Sequence, residues 1–229
     1  MSFGFNAKFM RDPLRFLQQN LIVNQAIEPF MAQSTPYVFT DFTFVKRKIG
    51  ERKAKAVILG ERGRSRRIGV VELTRYSLNQ INPVIARRAR SHPMRSIYLG
   101  YQEGRATSVH LGDNSRVMFN HSLSGCTLAI AKDDQGTDVM HLAANLSDEQ
   151  KTRLRDEFFG DRHVRLFEED EYEDAATTHV IGLNTKKHGW RFFAQGYDTA
   201  VDYRVSHAVE TTPRNADYIC YFSVKEIVV

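Results

Sequence analysis

The chain has 229 residues, 42% of them hydrophobic and 26% charged, which is typical of an ordinary globular protein. This composition excludes a disordered tail, a fibrous repeat and a disulfide-rich scaffold, since Cys126 and Cys220 are the only cysteines. The formal net charge of +5 is too small for this length to identify a partner. No apolar run approaches the length of a transmembrane helix or of the core of a secretory signal, so we expect neither.

The N-terminal half predicts a helical start followed by strands. The first thirty-odd residues are predicted to be helical, because apolar side chains recur at three- and four-residue steps at Leu14, Leu17, Leu21 and Ile22. Asp12-Pro13 supplies an N-cap with proline at the first helical position. From Tyr37 the apolar period changes to two, which is typical of strands. The pattern predicts strands near 37–45, 56–59, 68–73, 96–99 and 116–119, with a helix over 77–90.

The C-terminal half predicts a hairpin, a capped helix and further strands. Residues 127–131 and 137–141 alternate around the turn-forming residues 133–136. Ser147 and Gln150 form a capping-box pattern that opens a helix ending at Gly160. Strands are predicted at 178–183, 190–194, 200–205 and 218–229. The sequence thus predicts a single α+β domain over 1–229, with a central β-sandwich or twisted mixed sheet flanked by helices.

Two charged stretches stand out. Ten lysines or arginines lie between Lys46 and Arg67, a density that fits either a phosphate-binding face or a pair of solvated hairpin tips. Glycines within the stretch favour the hairpins, and no aromatic residues are interleaved to stack on bases. Residues 168–174 include six acids, which predicts a solvated loop.

Cys126 is the first candidate for chemistry. A cysteine attacks only as the thiolate, so it needs an acid–base partner and an open approach. Ser124 and Gly125 immediately before it provide that approach, because glycine places no side chain in the way of a substrate. Backbone N–H groups around Gly125 could then face a developing oxyanion. The alternative is that Cys126 is a small buried hydrophobic residue.

His141 is the candidate partner by strand geometry. It lies fifteen residues after Cys126, on the predicted return strand. With an even number of residues in the hairpin loop, the two side chains share one face of the sheet, roughly 5 to 8 Å apart. A bulge at Gly136 would change this parity.

Other familiar chemical signatures are missing from the sequence. The remaining histidines show no metal-ligand spacing, so we expect no metal site, and the glycine-rich nucleotide motifs and the serine-hydrolase elbow are absent. We therefore expect no cofactor. Cys220 lies in an alternating apolar strand and is predicted to be a core residue.

The sequence Leu123-Ser124-Gly125-Cys126, with His141 fifteen residues on, resembles the cytotoxic necrotizing factor family of bacterial toxins. In length the chain is similar to the short Burkholderia lethal factor branch. The resemblance implies a glutamine deamidase on a β-sandwich fold, with Cys126 as nucleophile and His141 as general base. It also implies a third group that orients the imidazole, for which Asn120 is the candidate and His121 the next choice.

The resemblance further implies a substrate and a cellular route. A specific glutamine of a host protein would become glutamate, and the target would be a translation-initiation helicase or a Rho-type GTPase. We expect a monomer, active without membrane or nucleic acid and delivered from the bacterial cytoplasm to a host cytosol. A transglutaminase or cysteine protease on the same dyad is the first alternative. A binding module for nucleic acid or acidic surfaces, using residues 46–67, is the second.

Overall fold

The computed structural model describes residues 4–24, 37–49, 51–58, 65–75, 94–112, 115–134, 136–172, 175–185, 187–200 and 216–229. Within these ranges the chain is mixed α+β and mostly strand, with three α-helices. The predicted fold class is confirmed at this level. None of the helices in the described ranges has both the length and the apolar character needed to cross a membrane.

The N-terminus forms two short helices and then a strand. Helix α1 (Phe5–Arg11) is followed by α2 (Pro13–Gln19), and the Asp12 carboxylate caps α2 by accepting a hydrogen bond from the Arg15 N–H at 3.1 Å. The prediction that the helix continues through Leu21 and Ile22 is wrong. These residues lie in strand β1 (Asn20–Val23), buried beside a neighbouring strand, because sheet pairing outweighs the local helical spacing.

The remaining elements follow in chain order. They are β2 (Tyr37–Lys46), β3 (Lys48–Ile49), β4 (Arg52–Lys53), β5 (Lys55–Ile58), β6 (Arg66–Arg75), β7 (Met94–Leu99), β8 (Ala106–Leu111), β9 (Val117–Asn120), β10 (Thr127–Asp133), β11 (Gly136–Leu142), α3 (Asp148–Phe159), β12 (Arg165–Phe167), a 3-10 turn (Glu169–Glu171), β13 (Thr177–Thr185), β14 (Gly189–Thr199) and β15 (Tyr218–Ile227).

The larger sheet closes into a barrel. Its strands are hydrogen-bonded in the order β1-β6-β2-β7-β9-β13-β14-β15-β5, and β5 pairs back onto β6. Most pairs are antiparallel, but β1 runs parallel to β6, β7 parallel to β9, and β5 parallel to β15. One face of β2, β6, β7, β9 and β13 packs against the two N-terminal helices through a phenylalanine-rich cluster that includes Phe9, Phe16, Phe44 and Phe119.

A second, four-stranded antiparallel sheet packs against the barrel. Its order is β12-β10-β11-β8. One face contributes Leu128, Ile130 and Val139 to a core shared with β7, β9, β13 and β14. Helix α3 covers the other face through Leu154 and Phe159, together with Leu146 just before the helix. The seam between barrel and small sheet is therefore a buried interface, and the residues at its end are positioned from both sides.

Several local predictions are confirmed and others lie outside the described residues. The hairpin β10–β11 and the capping box of α3, which ends at Gly160, are as expected. The strands predicted from Tyr37 onward are present, apart from the one at 200–205, and the sequence pattern does not predict β8 and β12. The predicted helix at 77–90 lies outside the described residues, as does most of the predicted strand at 200–205. The acidic stretch forms the 3-10 turn rather than a simple loop.

Candidate active site

The β10–β11 hairpin places Cys126 and His141 on one face. Asp133 pairs with Gly136, so two residues separate the strands and the even-loop condition holds. Leu128 lies directly opposite His141, and Cys126 precedes Leu128 by two residues on the same side. Because alternate residues of a strand share a face, both side chains point into the seam beneath the small sheet. Cys126 is accordingly part of the shared core there.

Cys126 is a free thiol, 4% exposed, at the end of a tight turn. Gly125 before it has φ +74°, a conformation that glycine adopts readily and other residues rarely do. The sulfur lies 4.0 Å from the Ser124 carbonyl oxygen and also hydrogen-bonds the backbone of Ala144. Burial raises the pKa of this thiol, and these backbone contacts oppose the rise only in part. The resting residue is therefore a neutral thiol.

His141 is a buried histidine whose ring nitrogens make no hydrogen bond in the described part of the chain. It is 1% exposed. Burial, followed by the charge of nearby His121, lowers the pKa of His141 to about 3. The imidazole is thus neutral at physiological pH. Cys126 and His141 share a face without a hydrogen bond between them in the described chain.

Two further rings complete the wall around His141. The Tyr101 ring is stacked on His121, with centroids 5.4 Å apart, and is tilted against His141 at 5.6 Å. Tyr101 and His121 follow β7 and β9, whose parallel pairing brings both carboxyl ends to the same edge, where the His121 N–H donates to the Leu99 carbonyl at 2.8 Å. Burial and the proximity of Cys126 raise the pKa of Tyr101. Four reactive or polarisable groups therefore converge at this end of the seam.

Tyr172 fixes the backbone of the nucleophile candidate. Its hydroxyl donates a hydrogen bond to the Cys126 carbonyl, and its side chain is only 2% exposed. Burial is the main reason that the pKa of Tyr172 is raised, so the phenol stays protonated and remains a donor. The segment before Cys126 is held from the barrel side as well, because Leu123 and Thr178 form an isolated β-bridge. The turn that carries the thiol is thus anchored on both sides.

Asn120, the predicted orienting group, is occupied by the barrel. Its side-chain oxygen accepts a hydrogen bond from the Val180 N–H at 2.6 Å, and its carbonyl accepts one from Asn24 at 3.1 Å. It is 1% exposed, and its Nδ2 has no partner within the described ranges. The structure therefore shows Asn120 tying β9 to β13, one residue from His121, without a hydrogen bond to His141.

A pocket of about 140 Å³ lies on the helix-covered side of the small sheet. It lies between the first two turns of α3 and the ends of β10, β11 and β12, and Thr127, next to Cys126, forms part of its wall. Lys151 also lines it, and the charge of this lysine acts on the Cys126 thiol. A Cβ built on Gly125 would lie 3.8 Å from a carboxylate oxygen of Glu169.

The other sequence candidates have separate places. Cys220 is fully buried in another core cluster, which confirms its predicted role, and burial raises its pKa to about 12. In the stretch 46–67, β3 and β4 form one of the predicted hairpins, and Arg47 is paired with Glu72. The described residues contain no group of three or more potential metal ligands. Where the structure describes side chains of the stretch, six cations are exposed: Lys46, Lys48, Lys53, Lys55, Arg66 and Arg67.

Neither the family models nor the sequences of curated proteins give a significant match to this chain. We therefore infer the function from the residues and their geometry. Sequence reasoning found Cys126 and His141 but missed Tyr101, Tyr172 and Lys151. The signal for Tyr172 was an aromatic residue within an acidic run, which is unusual for a solvated loop.

Proposed function

We propose that this protein is a cysteine-dependent protein glutamine deamidase, with Cys126 as the nucleophile and His141 as the general base. The observation that carries the proposal is His141 itself. A buried imidazole without hydrogen-bond partners in the described chain is costly to keep, and it shares a sheet face with a free thiol behind a positive-φ glycine. Perturbed, unsatisfied groups of this kind concentrate at functional sites.

The chemistry follows from the neutral resting state. As the Cys126 sulfur attacks the carbon of a glutamine carboxamide, its proton passes to His141 and a tetrahedral oxyanion forms. His141 then protonates the departing nitrogen, ammonia leaves and a thioester remains. Water, deprotonated by His141, hydrolyses the thioester to glutamate and restores the thiol. In this proposal the sulfur first turns away from the Ser124 carbonyl towards His141, by rotation about the Cα–Cβ bond of Cys126.

The turn around Gly125 supports the oxyanion step. Tyr172 holds the Cys126 carbonyl on the side of the core, which fixes the direction of the neighbouring peptide groups. Prepositioned backbone N–H groups of such a turn stabilise developing negative charge without rearranging during the reaction. Ser124 and Gly125 are therefore assigned to the substrate approach, and Asn120 to holding the strand from which His121 emerges.

The wider proposal takes its content from the necrotizing factor resemblance. The substrate is a host protein, either a translation-initiation helicase or a Rho-type GTPase, reached after delivery from bacterium to host cytosol. In this proposal the barrel and the small sheet correspond to the β-sandwich of that family's catalytic domain. Transglutamination is the alternative reaction on the same dyad, in which an amine instead of water attacks the thioester.

A binding function is the candidate from another class. Six exposed cations on β2 to β6 favour an anionic surface or nucleic acid as a ligand. Binding to RNA that weakens with salt and is unchanged by Cys126→Ala would support this function. Charge reversal of Arg66 and Arg67 should abolish such binding and leave deamidation intact.

The test of the deamidase is ammonia release together with mass spectrometry of candidate targets. Wild-type protein should convert glutamine to glutamate in a purified initiation helicase or Rho-type GTPase, while Cys126→Ser and His141→Gln should each lower the rate by at least about a hundredfold. Cys220→Ser is the matched control, because it removes the other thiol. Equal activity in the Cys126 and Cys220 variants would contradict the proposal.

A further inference from the structure

The candidate dyad lies behind a pair of stacked rings. Its two members, Cys126 and His141, are 4% and 1% exposed, while the two rings, Tyr101 and His121, are partly exposed. Tyr101 packs against the core cluster that contains Cys126, and its ring centroid lies 5.6 Å from that of His141. The centroid of His121 lies 6.4 Å from that of His141. A carboxamide that comes from solvent on this side must therefore displace one of the two outer rings to reach the imidazole.

The backbone holds the two outer rings with different firmness. The His121 N–H donates to the Leu99 carbonyl at 2.8 Å, and the preceding residue, Asn120, is tied to β13 through its side chain. Tyr101 lies between β7 and β8, and neither its backbone nor its hydroxyl forms a hydrogen bond within the described ranges. Tyr101 is therefore the ring that moves at the smaller cost.

The loop that carries Tyr101 is itself anchored on both sides of this residue. The Gly100 carbonyl accepts a hydrogen bond from the Thr107 hydroxyl at 2.6 Å, and the Gly104 N–H donates to the Asn145 side chain at 2.9 Å. The ring can thus rotate about the Cα–Cβ bond of Tyr101 while the loop keeps these hydrogen bonds. Rotation of a partly exposed side chain is fast compared with enzymatic turnover.

We propose that Tyr101 is the gate of the candidate active site, with a ring that covers the dyad at rest and rotates outward to admit one unbranched side chain. The inference deepens the proposed deamidase function, and its substrate part rests on that function. Once the substrate side chain fills the opening, the ring closes against it, so that water reaches the thioester and a lysine side chain does not. Water adds to the thioester carbonyl, the sulfur leaves and regains a proton, and glutamate is released. Tyr101 thereby favours hydrolysis over transglutamination.

The gate can be tested without turnover by the width of the reagent that reaches the thiol. The intact protein is treated with N-methylmaleimide or N-cyclohexylmaleimide, which share one reactive group, and labelling at Cys126 is followed by peptide mass spectrometry. The ratio of the two rates cancels changes in the thiolate fraction. Tyr101→Ala should raise the cyclohexyl-to-methyl ratio about tenfold, while Tyr101→Phe, which keeps the ring, should stay within about twofold of the wild type.

Two controls separate a gate from general loosening of the fold. Phe158→Ala removes an aromatic ring that is 40% exposed on α3 and should leave the ratio at Cys126 unchanged. Cys220, which is fully buried, should label equally slowly in every folded variant. An unchanged ratio in Tyr101→Ala would overturn the gate, and so would a parallel increase at Cys220. A wild-type ratio at Cys126 equal to that measured in urea would overturn it as well.

The substrate part has its own readout, with monodansylcadaverine as the amine probe. Tyr101→Ala should raise amine incorporation relative to glutamate formation at the target glutamine about fivefold or more, while Phe158→Ala matches the wild type. If the maleimide ratio changes as expected but the wild type converts no glutamine, the gate stands and the deamidase proposal fails. If the wild type deamidates and Tyr101→Ala keeps the same amine-to-water preference, the deamidase stands and the exclusion of amines by Tyr101 is overturned.

Discussion

Replacing His141 with glutamine should remove a large part of the acid sensitivity of folding. The native pKa of His141 is about 3, against an ordinary value of 6.5. Since the unfolded chain binds a proton that the native state excludes, stability is fully present above pH 6.5 and is lost as the pH falls towards 3. Each pH unit within this window is worth 1.36 kcal/mol. Between about pH 7.5 and about pH 5, His141 alone therefore contributes a loss of about 2 kcal/mol.

The assay is urea unfolding of wild type and His141→Gln at both pH values. Glutamine does not titrate, so the free energy of unfolding should fall by about 2 kcal/mol less in the variant. With a slope of about 3 kcal/mol per molar urea, this corresponds to a difference of about 0.7 M between the midpoint shifts. His188→Gln, at an exposed position, should match the wild type within about 0.5 kcal/mol. An identical pH dependence in His141→Gln would refute a neutral buried imidazole.

Three further variants test the surroundings of the thiol by their free energies of unfolding. Gly125→Ala should cost about 2–4 kcal/mol, because alanine would have to adopt a positive φ and its Cβ would lie 3.3 Å from the Cβ of another alanine. Gly160→Ala also needs a positive φ but has open space around the new Cβ, so it should cost only about 1–2 kcal/mol. Equal costs for the two variants would contradict steric crowding at Gly125. Tyr172→Phe should cost about 1–3 kcal/mol by leaving the Cys126 carbonyl unsatisfied, and a neutral effect would show that water replaces the phenol. Asn120→Ala should cost a similar amount and leave the pH dependence of deamidation unchanged, since the Asn120 carboxamide accepts a hydrogen bond from the barrel backbone. A shifted pH profile would instead show that Asn120 orients the His141 imidazole.

The hairpin with the candidate dyad was predictable because its signals are local. Alternating apolar residues, a turn of polar residues and glycine, and the parity of the spacing depend only on neighbouring positions. The same holds for helix α3, whose Ser147–Gln150 capping box is local and was observed as predicted. The core placement of Cys220 also followed from its strand pattern.

The rest of the site depends on pairings between distant residues. Tyr101 and His121 meet because β7 and β9 run parallel, and no spacing in the sequence announces which strands become neighbours. Tyr172 reaches Cys126 from 46 positions away. Leu21 and Ile22 have helical spacing, yet they gain more by burying against β6 as a strand. Long-range sheet pairing decided each of these features.

The most direct test of the central claim is peptide mass spectrometry of a eukaryotic lysate incubated with the wild-type protein, with Cys126→Ala in parallel. We expect that one glutamine of one host protein becomes glutamate only with the wild type. Indistinguishable samples across several lysates, with both proteins shown to be folded, would contradict the account.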